Sequence, residues 1–136
     1  MKYIITLISI LPFCLNGQTE DFFEGFYVQT YYKNGELKSQ GNTIDNKKNG
    51  MWRLYYQSGE IKSEGNFKND RLHGIWKLYY KNGELEEKKT WKNGVIDGAF
   101  QNYSKKNQLI ISGNYLEGRI VSKKCFTAER LEIPCE

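Results

Sequence analysis

The sequence predicts an all-β fold in which antiparallel β-hairpins follow one another as a meander and form a single elongated sheet. A tyrosine recurs every 24 residues through most of the chain, followed in the first three cases by a glycine-containing turn signal. The composition agrees, because the 136 residues include 10 Tyr and 13 Gly. Many aromatic residues together with many glycines are typical of strands joined by turns.

The repeat is visible when the chain is aligned on Tyr31, Tyr55, Tyr79 and Tyr103. The first three units then read YYKNGELKSQGNTIDNKKNGMWRL, YYQSGEIKSEGNFKNDRLHGIWKL and YYKNGELEEKKTWKNGVIDGAFQN, and a fourth begins YSKKNQLIISGNYLEGRI. A period of this length is typical of repeat architectures, in which each unit needs its neighbours to bury its apolar face. We therefore predict a repeat array over residues 18–118.

Each unit is predicted to fold as a hairpin with a two-residue turn at its Asn-Gly or Ser-Gly pair. The second residue of each pair is a glycine, which readily adopts the positive φ that such a turn requires. These turn glycines are Gly35, Gly59 and Gly83. A second set of glycines is expected in longer connections between hairpins, such as residues 68–74. These are Gly50, Gly74 and Gly98.

A turn at Ser58-Gly59 fixes a register for the second hairpin. The predicted cross-strand pairs are Tyr55–Lys62, Arg53–Glu64 and Trp52–Gly65. Because side chains alternate along a strand, the large rings share one face with the glycines opposite them, and each glycine leaves room for a ring. The predicted ring–glycine pairs are Trp52/Gly65 and Phe100/Gly113, and Val28 takes the equivalent place opposite Gly41 with a smaller side chain.

The third hairpin departs from this scheme. In the same register Trp76 faces Lys89 instead of a glycine. The third hairpin is therefore predicted either to contain a bulge or to use this face differently.

The first 17 residues are predicted to be a secretory signal peptide. Met1-Lys2 gives a positive start, and residues 3–15 are uncharged and mostly apolar. The apolar run is shorter than the roughly 20 residues of a membrane-spanning helix. We expect cleavage after Gly17 and export to the periplasm or beyond. The alternative interpretation of this segment is a buried first strand.

Residues 119–136 leave the repeat and are predicted to cap the last strand of the array. They contain Cys125 and Cys135, the two cysteines that remain once the signal peptide is removed. Because exported proteins meet an oxidising environment, these thiols are predicted to form one disulfide.

The face opposite the rings is the candidate binding surface. Its predicted members are Tyr31, Tyr55, Tyr79 and Tyr103, with Lys38 and Lys62 opposite two of them and Arg53 alongside. Rings with interleaved amines can stack on sugars, hold an anionic polymer or contact a partner protein. The alternative is that tyrosine is simply favoured in strands and covers neighbouring aliphatic side chains. A slip of one residue in register would exchange the two faces.

The recurring pattern G-x-W-x-x-Y-Y-x-N-G-x-L/I-x-x-E/Q-G-x-F resembles the MORN-repeat variant family. It runs from Gly50 through Phe67 and begins again at Gly74, and the resemblance covers about residues 25–118. Proteins of this make-up include YwqK-like antitoxins of bacterial toxin–antitoxin systems. MORN-type arrays serve as scaffolds, protein-interaction modules and lipid-binding surfaces. The resemblance therefore implies a β-hairpin repeat fold with a binding function.

No catalytic arrangement is predicted. The single histidine, His73, lies beside Gly74 in an expected connection and has no orienting partner in the sequence, so we interpret it as a turn residue. A net charge of +4 without a local cluster does not indicate nucleic-acid binding. We predict no enzymatic activity, no metal and no cofactor.

The leading functional hypothesis is a non-enzymatic exported protein that binds or scaffolds another protein, with an antitoxin-like role as a special case. The alternative hypothesis is binding of an envelope glycan or an anionic lipid surface through the tyrosine and lysine face.

Overall fold

The computed structural model describes residues 3–7 and 25–135, and within them all regular structure is β-strand. One antiparallel sheet contains eleven strands in sequence order, which confirms the predicted meander. The strands are β1 (Tyr3–Leu7), β2 (Gly25–Tyr31), β3 (Leu37–Ile44), β4 (Lys47–Tyr55), β5 (Ile61–Lys68), β6 (Arg71–Tyr79), β7 (Leu85–Lys92), β8 (Val95–Tyr103), β9 (Leu109–Leu116), β10 (Arg119–Phe126) and β11 (Glu132–Ile133). None of the described residues forms a helix with the length and apolar content needed to cross a membrane.

The turn inside each repeat is a three-residue loop, so the predicted two-residue turn is wrong. In the second repeat the N–H of Gly59 donates to the carbonyl of Tyr56 at 3.0 Å, and the N–H of Tyr56 donates to the carbonyl of Glu60 at 2.8 Å. Gly59 has a φ of +100°. A type I turn followed by one left-handed residue is the usual three-residue hairpin loop. The glycine therefore closes the loop as its third residue.

This loop shifts the register by one residue at the end of each hairpin. Tyr55 lies opposite Ile61, and Lys62 is the extra residue of a bulge, so the predicted Tyr55–Lys62 pair is wrong. Beyond the bulge the predicted pairs return, and the structure confirms both of them. These are Arg53–Glu64 and Trp52–Gly65.

Consecutive repeats are joined by two-residue turns, not by the longer connections that the sequence predicted. Between β5 and β6 the turn is Asn69-Asp70, with φ values of +49° and +64°. Positive φ at both positions defines a type I′ turn, and Asn and Asp tolerate it better than most residues. Gly74 consequently lies inside β6 with a φ of +77°, where the pairing with β5 contains a bulge.

The apolar side of the sheet is built from rings that lie over glycines of a neighbouring strand. A Cβ atom at Gly41 would collide with the ring of Trp52, and one at Gly113 would lie 2.7 Å from Phe100. Only 3% of the Trp52 surface and 4% of the Phe100 surface are exposed. The predicted Phe100/Gly113 contact is therefore present. Trp52 lies opposite Gly65, as predicted, and also opposite Gly41 in the preceding repeat, where its ring is the group nearest to the Cβ position.

The third hairpin keeps the common register and uses its face differently. Lys89 pairs with Trp76 on one side and with Phe100 on the other, at the position where the first two repeats have Gly41 and Gly65. Its Nζ lies 2.6 Å from a carboxylate oxygen of Glu87, two residues away on the same face. The side chains are 20% and 25% exposed, so a half-buried ion pair replaces a ring-over-glycine contact.

Each end of the sheet has an additional short strand. At one end β1 pairs antiparallel with β2, from Tyr3 opposite Thr30 to Leu7 opposite Phe26. The signal-peptide assignment of residues 1–17 stays a prediction, and most of those residues lie outside the described part of the chain. At the other end β10 continues the sheet beyond the predicted boundary at residue 118, and β11 pairs with its last residues. A disulfide joins Cys125 to Cys135.

Candidate binding surfaces

The sheet is a single layer, so each repeat contributes side chains to two opposite faces. We call one the ring face; it carries Trp52, Leu54, Phe67, Trp76 and Phe100. We call the other the tyrosine face; the strand alternation from Arg53 and Gln40 places Tyr31, Tyr55, Tyr79 and Tyr103 on it. The four predicted tyrosines therefore share one face.

A hydrogen-bonded charge network crosses three strands at the centre of the tyrosine face. Arg53 Nε lies 3.1 Å from Glu64 Oε2, and the hydroxyl of Tyr79 donates to Glu64 Oε1 at 2.9 Å. Lys77 Nζ lies 3.7 Å from the same carboxylate oxygen. One carboxylate thus receives groups from β4 and β6, which fixes the positions of Arg53 and Tyr79 on the surface.

This network shifts the pKa values of its members in opposite directions. Partial burial raises the pKa of Tyr79 to about 12, and the hydrogen bond to Glu64 acts in the same direction. Burial alone would raise the pKa of Glu64. The hydrogen bonds from Tyr79 and Arg53 and the charge of Lys77 outweigh that effect, so the pKa of Glu64 lies below its ordinary value. The carboxylate is therefore charged and the phenol neutral at neutral pH.

The first two repeats hold their tyrosines with amides instead of charges. Gln40 Nε2 donates to the hydroxyl of Tyr55 at 2.6 Å, and the side chains of Gln29 and Gln40 are joined at 3.2 Å. The hydroxyl of Tyr31 donates to Gln29 at 3.1 Å. Burial raises the pKa of Tyr55 above its ordinary value. Hydrogen bonds therefore hold the hydroxyls of Tyr31, Tyr55 and Tyr79 in place on the tyrosine face.

The predicted place of Lys38 and Lys62 on the tyrosine face is wrong. Each is the extra residue of a bulge, and the structure places its amine near a ring on the opposite face. Lys38 Nζ lies 5.8 Å from the ring centre of Tyr32, and Lys62 Nζ lies 5.8 Å from that of Tyr56. The bulge follows from the three-residue loop, which the turn signal alone did not reveal.

The second tyrosine of each Tyr-Tyr pair fastens neighbouring repeats, a role that the sequence analysis missed. The hydroxyl of Tyr32 donates to the carbonyl of Tyr55 at 2.6 Å, and that of Tyr56 donates to the carbonyl of Tyr79 at 2.7 Å. Tyr80 makes the same bond to the next repeat at 2.8 Å. Their 24-residue recurrence was visible in the sequence and is the signal that could have identified them.

Three lysines surround a concavity of about 350 Å³ on the ring face, lined also by Tyr32 and Leu54. Lys38 and Lys62 reach it from the bulges of β3 and β5, and Lys48 reaches it from β4. The Nζ of Lys48 lies 4.5 Å from the ring centre of Trp52. Within residues 25–135 none of these three amines forms an ion pair. The concavity therefore presents unneutralised positive charge beside aromatic rings.

Comparison with known protein families decides the identity of the repeat. A family profile described as MORN repeat variant matches three consecutive stretches, residues 27–45, 48–69 and 72–93. Residues 27–93 form an array of MORN-variant repeats. No curated protein and no solved structure matches the chain significantly. MORN repeats are generally non-enzymatic modules that bind proteins or membranes.

Each matched MORN repeat corresponds to one hairpin with a three-residue loop. The first stretch covers most of β2 and all of β3, the second most of β4 and all of β5, and the third most of β6 and all of β7. The hairpin of β8 and β9 lies beyond the matched stretches yet pairs with β7 in the same sheet. The MORN-type geometry thus extends further along the chain than the profile match.

The described residues contain no group of three or more His, Cys, Asp or Glu side chains with the spacing of a metal site. His73 lies inside β6 opposite Asn66, and its predicted place in a connection is wrong. Its Nδ1 is buried and makes no hydrogen bond within the described residues. Within the described residues no hydrogen bond therefore orients the imidazole of His73 through Nδ1.

Proposed function

We propose that this MORN-repeat protein is exported and binds another protein through its tyrosine face without enzymatic activity. The observation that carries the proposal is the Arg53–Glu64–Tyr79 network, which holds a charged group and a phenol ring in fixed positions on an open face. Tyr and Arg are enriched at the energetically important positions of protein interfaces. A side chain that is already ordered loses little conformational freedom on binding.

Export is supported by the sequence and by the disulfide. Met1-Lys2 precedes an uncharged apolar run, as in signal peptides, and Cys125 is joined to Cys135, as is usual in oxidising compartments. Intact mass of the protein from its host tests this part. A chain beginning near Gln18 and carrying the disulfide supports export, whereas an uncleaved chain with free thiols contradicts it.

The partner-binding part is tested by affinity capture from an envelope extract with three forms of the protein. The wild-type protein should retain a specific partner, and the double variant Arg53→Ala, Tyr79→Phe should lose it. The matched control, Lys106→Ala, changes a charge at an exposed turn and should bind as the wild type does. Equal capture by all three forms, or no capture above background, would contradict binding through the tyrosine face.

An antitoxin-like role is a special case of this proposal. In an exported protein the target would be an exported toxic protein, recognised through the same face. Co-expression with a toxic protein encoded beside this gene should restore growth, and the Arg53→Ala, Tyr79→Phe variant should fail to do so. A gene with no such neighbour argues against this special case.

A second candidate function is binding of an anionic group from an envelope glycan or lipid. The observation that favours it is the three-lysine concavity of the ring face, where Lys38, Lys48 and Lys62 lie beside Tyr32. A glycan array and sedimentation with anionic vesicles distinguish the two sources. Binding that disappears in the Lys38→Ala, Lys62→Ala variant supports this function, and blank results with both probes would exclude it.

A further inference from the structure

The strand β2, which lies next to the terminal strand β1, has the composition of a strand that accepts another strand. Its seven residues, GFYVQTY, include no charged residue and no proline, and Phe26, Tyr27 and Val28 are strongly strand-favouring. Edge strands of natural sheets usually carry charges, prolines or bulges that discourage further pairing. The strand β10 at the other end has Arg119, Lys123 and Lys124 among its eight residues. The charged β10 therefore discourages the pairing of a further strand, whereas the uncharged β2 does not.

In the structure the backbone of β2 is covered by residues 3–7. All five residues of β1 pair with β2 in an unbroken antiparallel register, from Tyr3–Thr30 to Leu7–Phe26. The covering segment has the sequence YIITL and is itself uncharged and rich in β-branched residues. It belongs to the stretch that the sequence assigns to a cleaved signal peptide. The strand that covers the edge is thus part of the segment that the predicted cleavage after Gly17 would remove.

We propose that β2 of the exported protein accepts an extended, uncharged strand of a partner protein in the position that β1 occupies. This inference rests on the export part of the proposed function. Removal of β1 leaves alternate N–H and C=O groups of β2 unpaired along the sheet edge, and an extended peptide satisfies them by strand addition. The YIITL segment indicates the chemistry of the occupant, because it is the sequence that the edge already pairs with.

The test uses the full chain and a variant in which β1 is released without being deleted. Neighbouring residues of a strand direct their N–H groups to opposite sides, so one of Ile4 and Ile5 directs its N–H group towards β2. The double variant Ile4→Pro, Ile5→Pro therefore removes an N–H donor to β2, whichever of the two residues faces that strand. Near-ultraviolet circular dichroism establishes that the repeats remain folded.

The probe is a fluorescent peptide carrying the Tyr3–Leu7 sequence between solubilising lysines, followed by anisotropy. The proline variant should bind it at least about tenfold more tightly than the full chain, because tethered β1 competes at high effective concentration in the latter. The processed chain recovered from the envelope should bind the peptide as the proline variant does. If the proline variant loses its fold, this processed form gives the deciding measurement.

Two N-methylated peptides provide the matched control. One is methylated on the amides of Ile4 and Thr6, and the other on the amides of Tyr3, Ile5 and Leu7. Strand addition uses the amides of one alternate set only, so one peptide should lose about tenfold in affinity or more and the other should bind normally. Equal binding of both methylated peptides would indicate side-chain capture and overturn the proposal.

Two other outcomes would also overturn it. The first is that neither the proline variant nor the processed chain binds the peptide. The second is that these forms dimerise through β2 and exclude the peptide, which would make a second copy the occupant. Because binding is measured with purified protein, it can succeed even if intact mass shows that the chain is never processed, so the two proposals fail separately.

Discussion

The hydroxyl of Tyr56 donates a 2.7 Å hydrogen bond to the carbonyl oxygen of Tyr79, 23 residues further along the chain. The bond joins the loop end of one hairpin to the first strand of the next. At the other ends of the strands the turns between hairpins also join neighbouring repeats, since the N–H of Asp70 donates to the carbonyl of Lys48 at 3.0 Å. Neighbouring repeats are therefore fastened at both ends of their strands as well as by the sheet itself.

Tyr56→Phe should lower the free energy of unfolding by about 1 kcal/mol, because it removes one hydrogen bond and leaves the carbonyl of Tyr79 without that donor. Urea denaturation measures the change. Tyr31→Phe is the matched control, since its hydroxyl bonds to Gln29 on the same strand and joins no repeats. The fastening role would be contradicted if both substitutions had the same effect.

Gly41→Ala should destabilise the protein by about 1–3 kcal/mol, because the added methyl group collides with the ring of Trp52 and the ring has to move. Gly25→Ala is the control, since its added Cβ would meet its nearest neighbour at 3.7 Å. Thermal unfolding should separate the two variants clearly. Equal midpoints would show that the ring does not depend on the glycine beneath it.

The Glu87–Lys89 pair should behave as one unit in a double-mutant cycle. Lys89→Ala leaves a half-buried carboxylate without its partner, and Glu87→Ser leaves a half-buried amine. Each single substitution should therefore cost more than half of the double substitution, with a coupling energy of about 1 kcal/mol. Denaturant unfolding of the four proteins gives the coupling. A coupling energy near zero would show that the two side chains do not stabilise each other in solution.

Alkaline pH should weaken the fold through Tyr79. Its pKa is raised to about 12 in the folded protein from an ordinary value of 10.0. The unfolded chain therefore loses this proton first. The contribution of Tyr79 to stability is fully present below pH 10.0 and is lost as the pH rises towards about 12.

The measurement is the urea midpoint of wild-type protein and Tyr79→Phe at pH values from 8.5 to 12. The difference between the two proteins should shrink over the upper half of this range. Glu64 has the opposite linkage, because its lowered pKa gives stability that is lost in acid. A difference that stays constant up to the highest pH would contradict the role of the Tyr79 hydrogen bond.

The fold could be predicted because the repeat makes every local signal appear several times. One alignment on Tyr31 and its equivalents gives the period, the number of strands per unit and the pairs Arg53–Glu64 and Trp52–Gly65. The disulfide partners followed from the count of cysteines left once the predicted signal peptide is set aside.

The candidate site was predicted less completely, for a reason that lies in the turns. A glycine after Ser58 fits either a two-residue turn or the third position of a longer loop, and only the latter creates the bulge that moves Lys62 to the other face. The turn at Asn69-Asp70 contains no glycine, so its type I′ geometry was hidden. The strand alternation was correct, whereas the residues next to the turns were not.

The rings of the ring face do not all lean towards the same neighbouring strand. Trp52 and Trp76 lean back over glycines of the preceding strand, but Phe100 leans forward over Gly113 because Lys89 occupies the place behind it. Substitution of a ring in β4 or β6 should consequently disturb the packing of the preceding hairpin. Substitution of the ring in β8 should disturb the packing of β9, the next strand. The repeats are therefore not equivalent in their aromatic packing. The rings before Lys89 pack on the preceding strand, the ring after it packs on the following strand, and Lys89 lies where the direction changes.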